Sequence, residues 1–174
     1  HIAHQLKKLN KFDIKLYEKE KDIFLGASSN NQNRLHLGFH YPRSKETRLQ
    51  SKNGFDKFLK HYAFLTKKIK YNIYGISDSP ETFLDYDTFL QIMKSEKLKF
   101  KEIDSYKKFK ILGLSGSILT NERLVDDYKS KLFFKRKLKN IIKTKKNIKS
   151  IKKINRRYLI EDKLYDYIIN CTYF

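Results

Sequence analysis

The chain has 174 residues, of which 40% are hydrophobic and 14% aromatic, so it can form a packed core and lacks the composition of a disordered protein. Lys and Arg number 39 against 19 Asp and Glu, a net charge of +20, but the lysines are scattered along the chain rather than gathered into one groove-like patch. The single cysteine excludes a disulfide framework and a Cys-rich metal site, and no apolar run reaches the ~18 residues of a membrane span. We therefore expect a cytoplasmic protein without a bound metal.

The first forty residues predict a helix, a strand and then an acid. Apolar residues in 2–9 recur at helical spacing, and Asn10 ends the pattern. Residues 12–17 alternate between apolar and polar, which is typical of a strand, and Glu18 follows directly. Two interpretations of Glu18 stay open: a ligand-binding acid at a strand end, or a solvated side chain in the charged run 18–22.

A polar stretch follows, dense in hydroxyl, amide and imidazole groups around single Gly and Pro residues. Such a loop suits a polar ligand, although an ordinary solvated loop has the same composition. Its pattern over 27–42 is A-S-x-x-N-x-x-R-x-H-x-G-x-H-Y-P. This pattern resembles the segment after the second Rossmann strand in FAD-dependent oxidoreductases of the D-amino-acid-oxidase/glycine-oxidase superfamily, and 2-hydroxyglutarate dehydrogenases are similar there.

The resemblance implies a fold and its limits. The order helix, strand, acid is that of the latter part of a βαβ dinucleotide-binding unit, but no G-x-G-x-x-G occurs in the chain. We therefore expect an α/β piece of a longer protein, truncated at both ends. In it a Rossmann-type FAD-binding domain (1–66 and 120–174), three-layered with a mainly parallel sheet, is interrupted by an α+β substrate segment (67–119) with an antiparallel sheet.

The same resemblance implies positions for the cofactor FAD. The acid would bind the ribose, the Ser/Asn-rich loop would lie along the pyrophosphate and ribityl chain, and the residues after it would lie near the flavin ring. Family members often have Gly where Asn33 stands. The implied FAD-binding residues are Glu18, Lys19, Ser28, Ser29, Asn31, Gln32, Asn33, Arg34, His36, Ile148 and Thr172. On the substrate side the resemblance implies His40, Tyr41 and Arg43.

The middle of the chain alternates helices and strands. Residues 44–66 predict a long helix with an aromatic core stripe, and a helix with Tyr86, Phe89, Leu90 and Met93 on one face follows later. Residues 69–76, 100–103 and 109–114 predict strands, and 113–117 predicts a turn.

In the last third, Asn121 is a candidate N-cap for a helix whose stripe runs from Leu124 to Leu132. Residues 141–142 and 148–154 suggest strands. The apolar run 165–171 predicts a parallel strand buried on both faces. It ends in an Asn-Cys-Thr turn similar to one in the resembled family, with Tyr173 where Gly is common.

The implied activity is hydride transfer to flavin from an amine or hydroxyl carbon of a small polar substrate such as an amino acid, hydroxy acid or sugar-like molecule. Oxygen or another acceptor would reoxidise the flavin. No catalytic residue is assigned, because we expect those residues beyond the end of this piece. The alternative is a non-catalytic basic protein that binds nucleic acid or another polyanion through the lysine-rich segment 129–157, which has few aromatics for base stacking and is the less favoured interpretation. The sequence leaves the oligomeric state open.

Overall fold

The computed structural model describes residues 1–104 and 110–172 and divides into two compact units. Unit 1 consists of His1–Asn31 and Lys131–Phe174, and unit 2 consists of Gln32–Ser130. These bounds describe compactness, so the assignment of segments to an FAD-binding or a substrate domain stays a prediction. No described helix is both long and apolar enough to cross a membrane.

The elements follow one another in mixed order. The helices are α1 (Ile2–Leu9), α2 (Lys45–Tyr62), α3 (Tyr86–Ser95) and α4 (Asp127–Leu138), with a short 3-10 helix at Ala63–Leu65. The strands are β1 (Leu16–Tyr17), β2 (Arg34–Leu35), β3 (Thr66–Lys68), β4 (Asn72–Ser77), β5 (Phe100–Ile103), β6 (Leu114–Thr120), β7 (Arg123–Val125), β8 (Ile142–Lys143), β9 (Lys152–Ile154), β10 (Arg157–Ile160) and β11 (Lys163–Tyr165).

Unit 1 contains a parallel pair and an antiparallel meander. α1 ends where the sequence predicts, because Asn10 adopts the left-handed conformation (φ 51°) and its N–H bonds the Lys7 carbonyl. β1 pairs in parallel with β8, with Leu16 opposite Ile142. The strands β9, β10 and β11 form a three-stranded antiparallel sheet.

Unit 2 is built on two antiparallel sheets. In the first, β6 lies between β4 and β5; in the second, β7 lies between β2 and β3. The core is made where α3 packs on the first sheet, and each of its large side chains contributes about 1.5–3 kcal/mol by leaving water. Its buried residues are Phe39, Phe89, Leu90, Met93 and Ile118.

The predicted helix 44–66 is confirmed over 45–62, beyond which 63–65 is 3-10 helix and residue 66 begins β3. The later helix with Tyr86, Phe89, Leu90 and Met93 is confirmed as α3, but the segments after it differ from expectation. The expected turn 113–117 is mostly strand, because 114–120 forms the central strand of a sheet and Gly116 within it sits where a neighbouring ring approaches closely. A Cβ on Gly116 would lie 2.3 Å from the Tyr86 ring. The expected strand 109–114 is wrong for 110–113, which precede that strand, and its residue 109 lies outside the described part of the chain.

Two predictions in the last third are also wrong. Asn121 does not cap a helix: residues 123–125 pair as β7 between two strands, and Asp126 accepts the Lys129 N–H at 2.9 Å where α4 begins. The run 165–171 is not a buried strand. β11 ends at Tyr165, and beyond it Tyr167 is 81% exposed. Apolar composition predicts burial only where another element covers the run.

The fold class is therefore mixed α/β with parallel and antiparallel pairing. Among the described strands, β1 and β8 form the sole parallel pair. We expected a mainly parallel sheet in a three-layer Rossmann domain, and one parallel pair is a much smaller parallel sheet than that. The Rossmann description stays a prediction.

Candidate functional site

In unit 1, Glu18 directly follows β1 at the edge where both parallel strands end. Leu16 N–H donates to the Ile141 carbonyl at 2.9 Å, and Glu18 N–H donates to the Lys143 carbonyl at 3.0 Å. Lys146 N–H then donates to the Glu18 carbonyl at 2.9 Å. Because open α/β sheets bind nucleotides outside the carboxyl ends of parallel strands, Glu18 lies at the kind of edge that the resemblance requires.

The other expected cofactor residues of unit 1 lie on several segments. The Glu18 carboxylate accepts the Glu20 N–H at 3.0 Å, and Lys19 between them is exposed. Ile148 is half-buried on the segment after β8. Thr172 lies in a turn in which its N–H and Oγ1 donate to Asn170 Oδ1 at 2.9 and 2.7 Å. This turn fits the Asn-Cys-Thr turn that the sequence predicts.

Several Ser and Asn side chains of the polar loop form hydrogen bonds to the backbone of the same loop. Ser29 Oγ donates to the Phe24 carbonyl, Asn30 Nδ2 donates to the Gly26 carbonyl at 2.9 Å, and Asn31 Nδ2 donates to the Ala27 carbonyl at 2.5 Å. These bonds hold residues 24–31 in successive turns. The density of Ser and Asn thus has a structural reason, whether or not the loop binds a ligand.

A cationic cavity of about 220 Å³ opens beside β8 in the same unit. Its volume is below the ~300–1,000 Å³ of typical ligand pockets, so it suits a phosphate-sized group rather than a whole dinucleotide. Its lining residues are Lys21, Asp22, Lys135, Lys139, Ile142 and Thr144.

One acid that lines this cavity, Asp22, pairs with two lysines of α4. Asp22 Oδ2 accepts from Lys131 Nζ at 2.9 Å and from Lys135 Nζ at 3.0 Å. The hydrogen bonds from these two lysines lower the pKa of Asp22 to about 2. Part of the charge of the basic segment is therefore neutralised within unit 1.

In unit 2, Gln32, expected along the ribityl chain, is followed by the residues expected near the flavin, which lie just before, in and just after β2. Gln32 is exposed, and Asn33 has a positive φ of 52° while its carbonyl accepts the Val125 N–H at 2.7 Å. A left-handed φ favours Gly and tolerates Asn, which gives a physical reason for Gly at this position in the resembled family. Arg34 donates from a guanidinium nitrogen to Asn72 Oδ1.

His36 belongs to a polar cluster around a buried carboxylate, Glu122, whose residue is 1% exposed. Glu122 Oε1 accepts the Leu37 N–H at 2.6 Å, and Oε2 accepts the Tyr74 hydroxyl at 2.6 Å and Asn72 Nδ2 at 3.2 Å. His36 Nδ1 lies 3.5 Å from the same Oε2. We call these residues the Glu122 cluster.

The electrostatics of the cluster keep its acid charged and its phenol neutral. Burial alone would raise the pKa of Glu122, but hydrogen bonds from His36, Tyr74 and the Leu37 N–H outweigh it, and the pKa is lowered. Burial and the bond to Glu122 raise the pKa of Tyr74. Tyr74 is therefore a proton donor to a carboxylate at neutral pH.

The expected substrate-side residues His40, Tyr41 and Arg43 lie in the loop before α2, and α2 holds this loop by hydrogen bonds. Arg48, buried in α2, donates to the carbonyls of Tyr41 at 3.2 Å and Pro42 at 2.5 Å. The exposed His40 ring stacks on the His36 ring with the centroids 5.7 Å apart, and the Tyr41 ring meets the His36 ring edge-on at 6.1 Å. His40 and Tyr41 therefore share one surface with the cluster. Arg43 is turned to another contact, over the Phe83 ring at 5.4 Å.

Sequence reasoning missed the acid and its donors. The sequence places Asn72 and Tyr74 in a predicted strand, and Glu122 directly after the candidate N-cap Asn121. Asn72 and Tyr74 are two residues apart and so face one side of β4, an inward polar pair in an otherwise apolar strand. That alternation is the signal that could have found them, whereas the pairing of Asn72 with Thr120 requires the sheet register.

Comparisons with known proteins give relatives but no family model, and no solved structure matches. The chain is 35% identical over 173 residues to the FAD-dependent monooxygenase FPY4 of Fusarium mangiferae, covering 99% of this chain and 46% of that protein. It is 42% identical over 75 residues to the FAD-dependent monooxygenase kojA of Aspergillus flavus and to the probable FAD-dependent monooxygenase kojA of Aspergillus oryzae, covering 43% of this chain and 17% of each relative. The chain thus spans less than half of these relatives. Their names agree with the expected class, FAD-dependent oxidoreductases, and do not specify the D-amino-acid-oxidase type.

Proposed function

We propose that this chain is part of an FAD-dependent oxidoreductase. The observation that carries the proposal is the 35% identity to an FAD-dependent monooxygenase over 99% of the chain. Two features of unit 1 support it chemically. The Glu18 carboxylate follows a parallel strand and suits ribose hydroxyls, and the lysine-lined cavity beside β8 suits phosphate.

The residues proposed to contact FAD are Glu18, Lys19, Ser28, Ser29, Asn31, Gln32, Asn33, Arg34, His36, Ile148 and Thr172. His40, Tyr41 and Arg43 are proposed for the substrate side. Bound flavin supplies an electron-pair acceptor that no side chain can provide, and the protein orients the substrate against it.

The test of the cofactor uses the visible absorption of flavin and a matched pair of acids. The purified oxidoreductase of which this chain is proposed to be a part should carry flavin absorption bands or acquire them from added FAD. Glu18→Ala should weaken FAD binding by about 10–100-fold, because a hydrogen bond to a charged group contributes ~1.5–3 kcal/mol. FMN, which lacks the adenosine, should bind both forms equally.

Glu20→Ala is the control, since Glu20 is exposed two residues further on and contacts the same segment through its backbone. A folded, colourless protein that takes up no FAD contradicts the proposal. Salt-dependent binding of RNA by such a protein would instead support the polyanion-binding alternative.

For the reaction, we propose oxidation of an amine or hydroxyl carbon of a small polar substrate by hydride transfer to flavin. The relatives' names favour a competing chemistry, insertion of an oxygen atom. Reaction under ¹⁸O₂ separates the two. A monooxygenase puts the label into its organic product, whereas hydride oxidation by an oxidase leaves that product unlabelled and produces labelled hydrogen peroxide.

A further inference from the structure

The orientation of His36 within the Glu122 cluster determines which of its ring nitrogens can act on a ligand. Nδ1 lies 3.5 Å from Glu122 Oε2 and 3.4 Å from the Tyr74 hydroxyl oxygen. The Tyr74 hydroxyl has one hydrogen, and its 2.6 Å contact with Glu122 Oε2 uses that hydrogen. Both atoms facing Nδ1 are therefore acceptors, and Nδ1 must carry the proton.

The opposite nitrogen has different surroundings. In a neutral imidazole one nitrogen donates and the other accepts, so a proton on Nδ1 leaves Nε2 as an acceptor. No residue within 1–104 or 110–172 hydrogen-bonds His36 Nε2. The His36 side chain is 25% exposed while that of Glu122 is 0% exposed, so the ring is anchored on its buried edge and accessible on the other.

The surrounding charges favour this arrangement. Glu122 is the negative group that faces His36, and Arg34 on β2 bonds Asn72, which itself donates to Glu122. His40 stacks on the His36 ring, and the Tyr41 ring meets it edge-on at 6.1 Å. The Glu122 carboxylate thus faces Nδ1 as a hydrogen-bond acceptor, and two polar aromatic residues that could contact a ligand lie beside the ring.

We propose that Glu122 is a positioning residue that fixes His36 as the Nδ1–H tautomer, so that Nε2 is a proton acceptor offered by unit 2 to a hydroxyl or amine ligand. The assignment of that ligand as the substrate rests on the proposed function, whereas the tautomer does not. In the oxidation of a hydroxyl carbon, Nε2 would accept the O–H proton as the carbonyl forms, and the flavin of the proposed function would supply the two-electron acceptor for the C–H hydride.

The test reads the tautomer directly by long-range ¹H–¹⁵N correlation of protein labelled with ¹⁵N-histidine, above the pH at which imidazole is charged. Among the five histidines, the signals of His36 are identified by their loss in His36→Gln. The wild type is expected to show the proton on Nδ1. Glu122→Gln should shift the population towards Nε2–H, because the amide offers a donor as well as an acceptor.

Tyr74→Phe is the matched variant, because it removes a partner of the same carboxylate but leaves the carboxylate beside Nδ1. It should retain the Nδ1–H tautomer. A wild-type His36 protonated on Nε2, or a Glu122→Gln variant with an unchanged tautomer, overturns the proposal. If Glu122→Gln does not fold, the wild-type and Tyr74→Phe spectra decide it.

The substrate assignment has a separate readout. In flavin-loaded enzyme, His36→Gln should lower kcat/KM and remove the limb of the pH profile in which activity rises as imidazole loses its proton. An unchanged profile alongside an Nδ1–H tautomer overturns the substrate assignment alone. Absence of flavin contradicts the proposed function and leaves the tautomer result standing.

Discussion

A glycine with a positive φ allows the His36–Arg43 loop to lie close to α2. Gly38 has a φ of +110°, and a Cβ there would lie 3.1 Å from the Arg48 Cα and carbonyl oxygen. Gly38→Ala should therefore destabilise the protein by about 1–3 kcal/mol, measured by urea unfolding. Gly26→Ala is the control, since nothing lies within 4 Å of its Cβ, and it should change stability by no more than about 0.5 kcal/mol. Equal effects of the two would contradict this account.

A second residue-level prediction concerns Arg48. It pairs with Glu96 at 3.0 Å, with side chains 8% and 15% exposed, and also binds two loop carbonyls. Arg48→Ala leaves Glu96 and the carbonyls unpaired, so the expected loss is about 3–5 kcal/mol of unfolding free energy. Lys94→Ala, which breaks an exposed pair with Glu102, should cost less than about 1 kcal/mol. A small effect of Arg48→Ala in chemical denaturation would show that the loop is held by other contacts.

At the scale of residues, the sequence predicts which side chains belong to a candidate site better than it predicts which other residues they contact. The resemblance of the polar stretch implies His36, His40 and Tyr41, and the structure brings their rings together. The acid that binds His36 comes from a position 86 residues later, between β6 and β7. No local periodicity carries that information, because the contact depends on which strands pair and in which register.

At the scale of elements, α4 is tied to the segment after β1 by charge. Asp22 binds Lys131 and Lys135 on successive turns of the helix, and its pKa is about 2 instead of 3.8. A lowered folded-state pKa gives stability that is present above the unfolded pKa and is lost as the pH falls through the folded one. The midpoint temperature of thermal unfolding should therefore fall more steeply between pH 4 and pH 2 in the wild type than in Asp22→Asn.

Asp13→Asn provides the comparison for that experiment, because the Asp13 side chain is 84% exposed in its pair with Lys15. Thermal unfolding of this variant should follow the wild-type pH dependence closely. If Asp22→Asn and the wild type lose midpoint in parallel, the ion pairs on α4 do not act as described.

Elements with a strong internal period were predictable, and elements defined by their neighbours were not. The stripe of α3 and the left-handed end of α1 are local properties. In contrast, β7 has only three residues and exists because β2 and β3 flank it. Residues 166–171 have the composition of a buried strand but have no ladder partner among the described residues, so composition alone predicts the wrong environment there.

At the scale of the whole molecule, a net charge of +20 on 174 residues opposes compaction. Raising NaCl from about 0.1 M to about 1 M shortens the Debye length from about 10 Å to about 3 Å, so the urea midpoint should rise as repulsion among lysines is screened. A variant with the exposed Lys149 and Lys153 changed to Glu should show a smaller rise. A midpoint that falls with salt would mean that attractive pairs such as those of Asp22 dominate instead.

The order in which the chain is synthesised acts differently on the two units. Unit 2 is one continuous stretch, Gln32–Ser130, whereas unit 1 joins the first and last segments of the chain. β1 is made early, but its parallel partner β8 is made only after all of unit 2 has been synthesised. Residues 1–31 therefore wait for their partners during translation, which exposes α1 and the edge of β1 to chaperones and proteases for longer than any segment of unit 2.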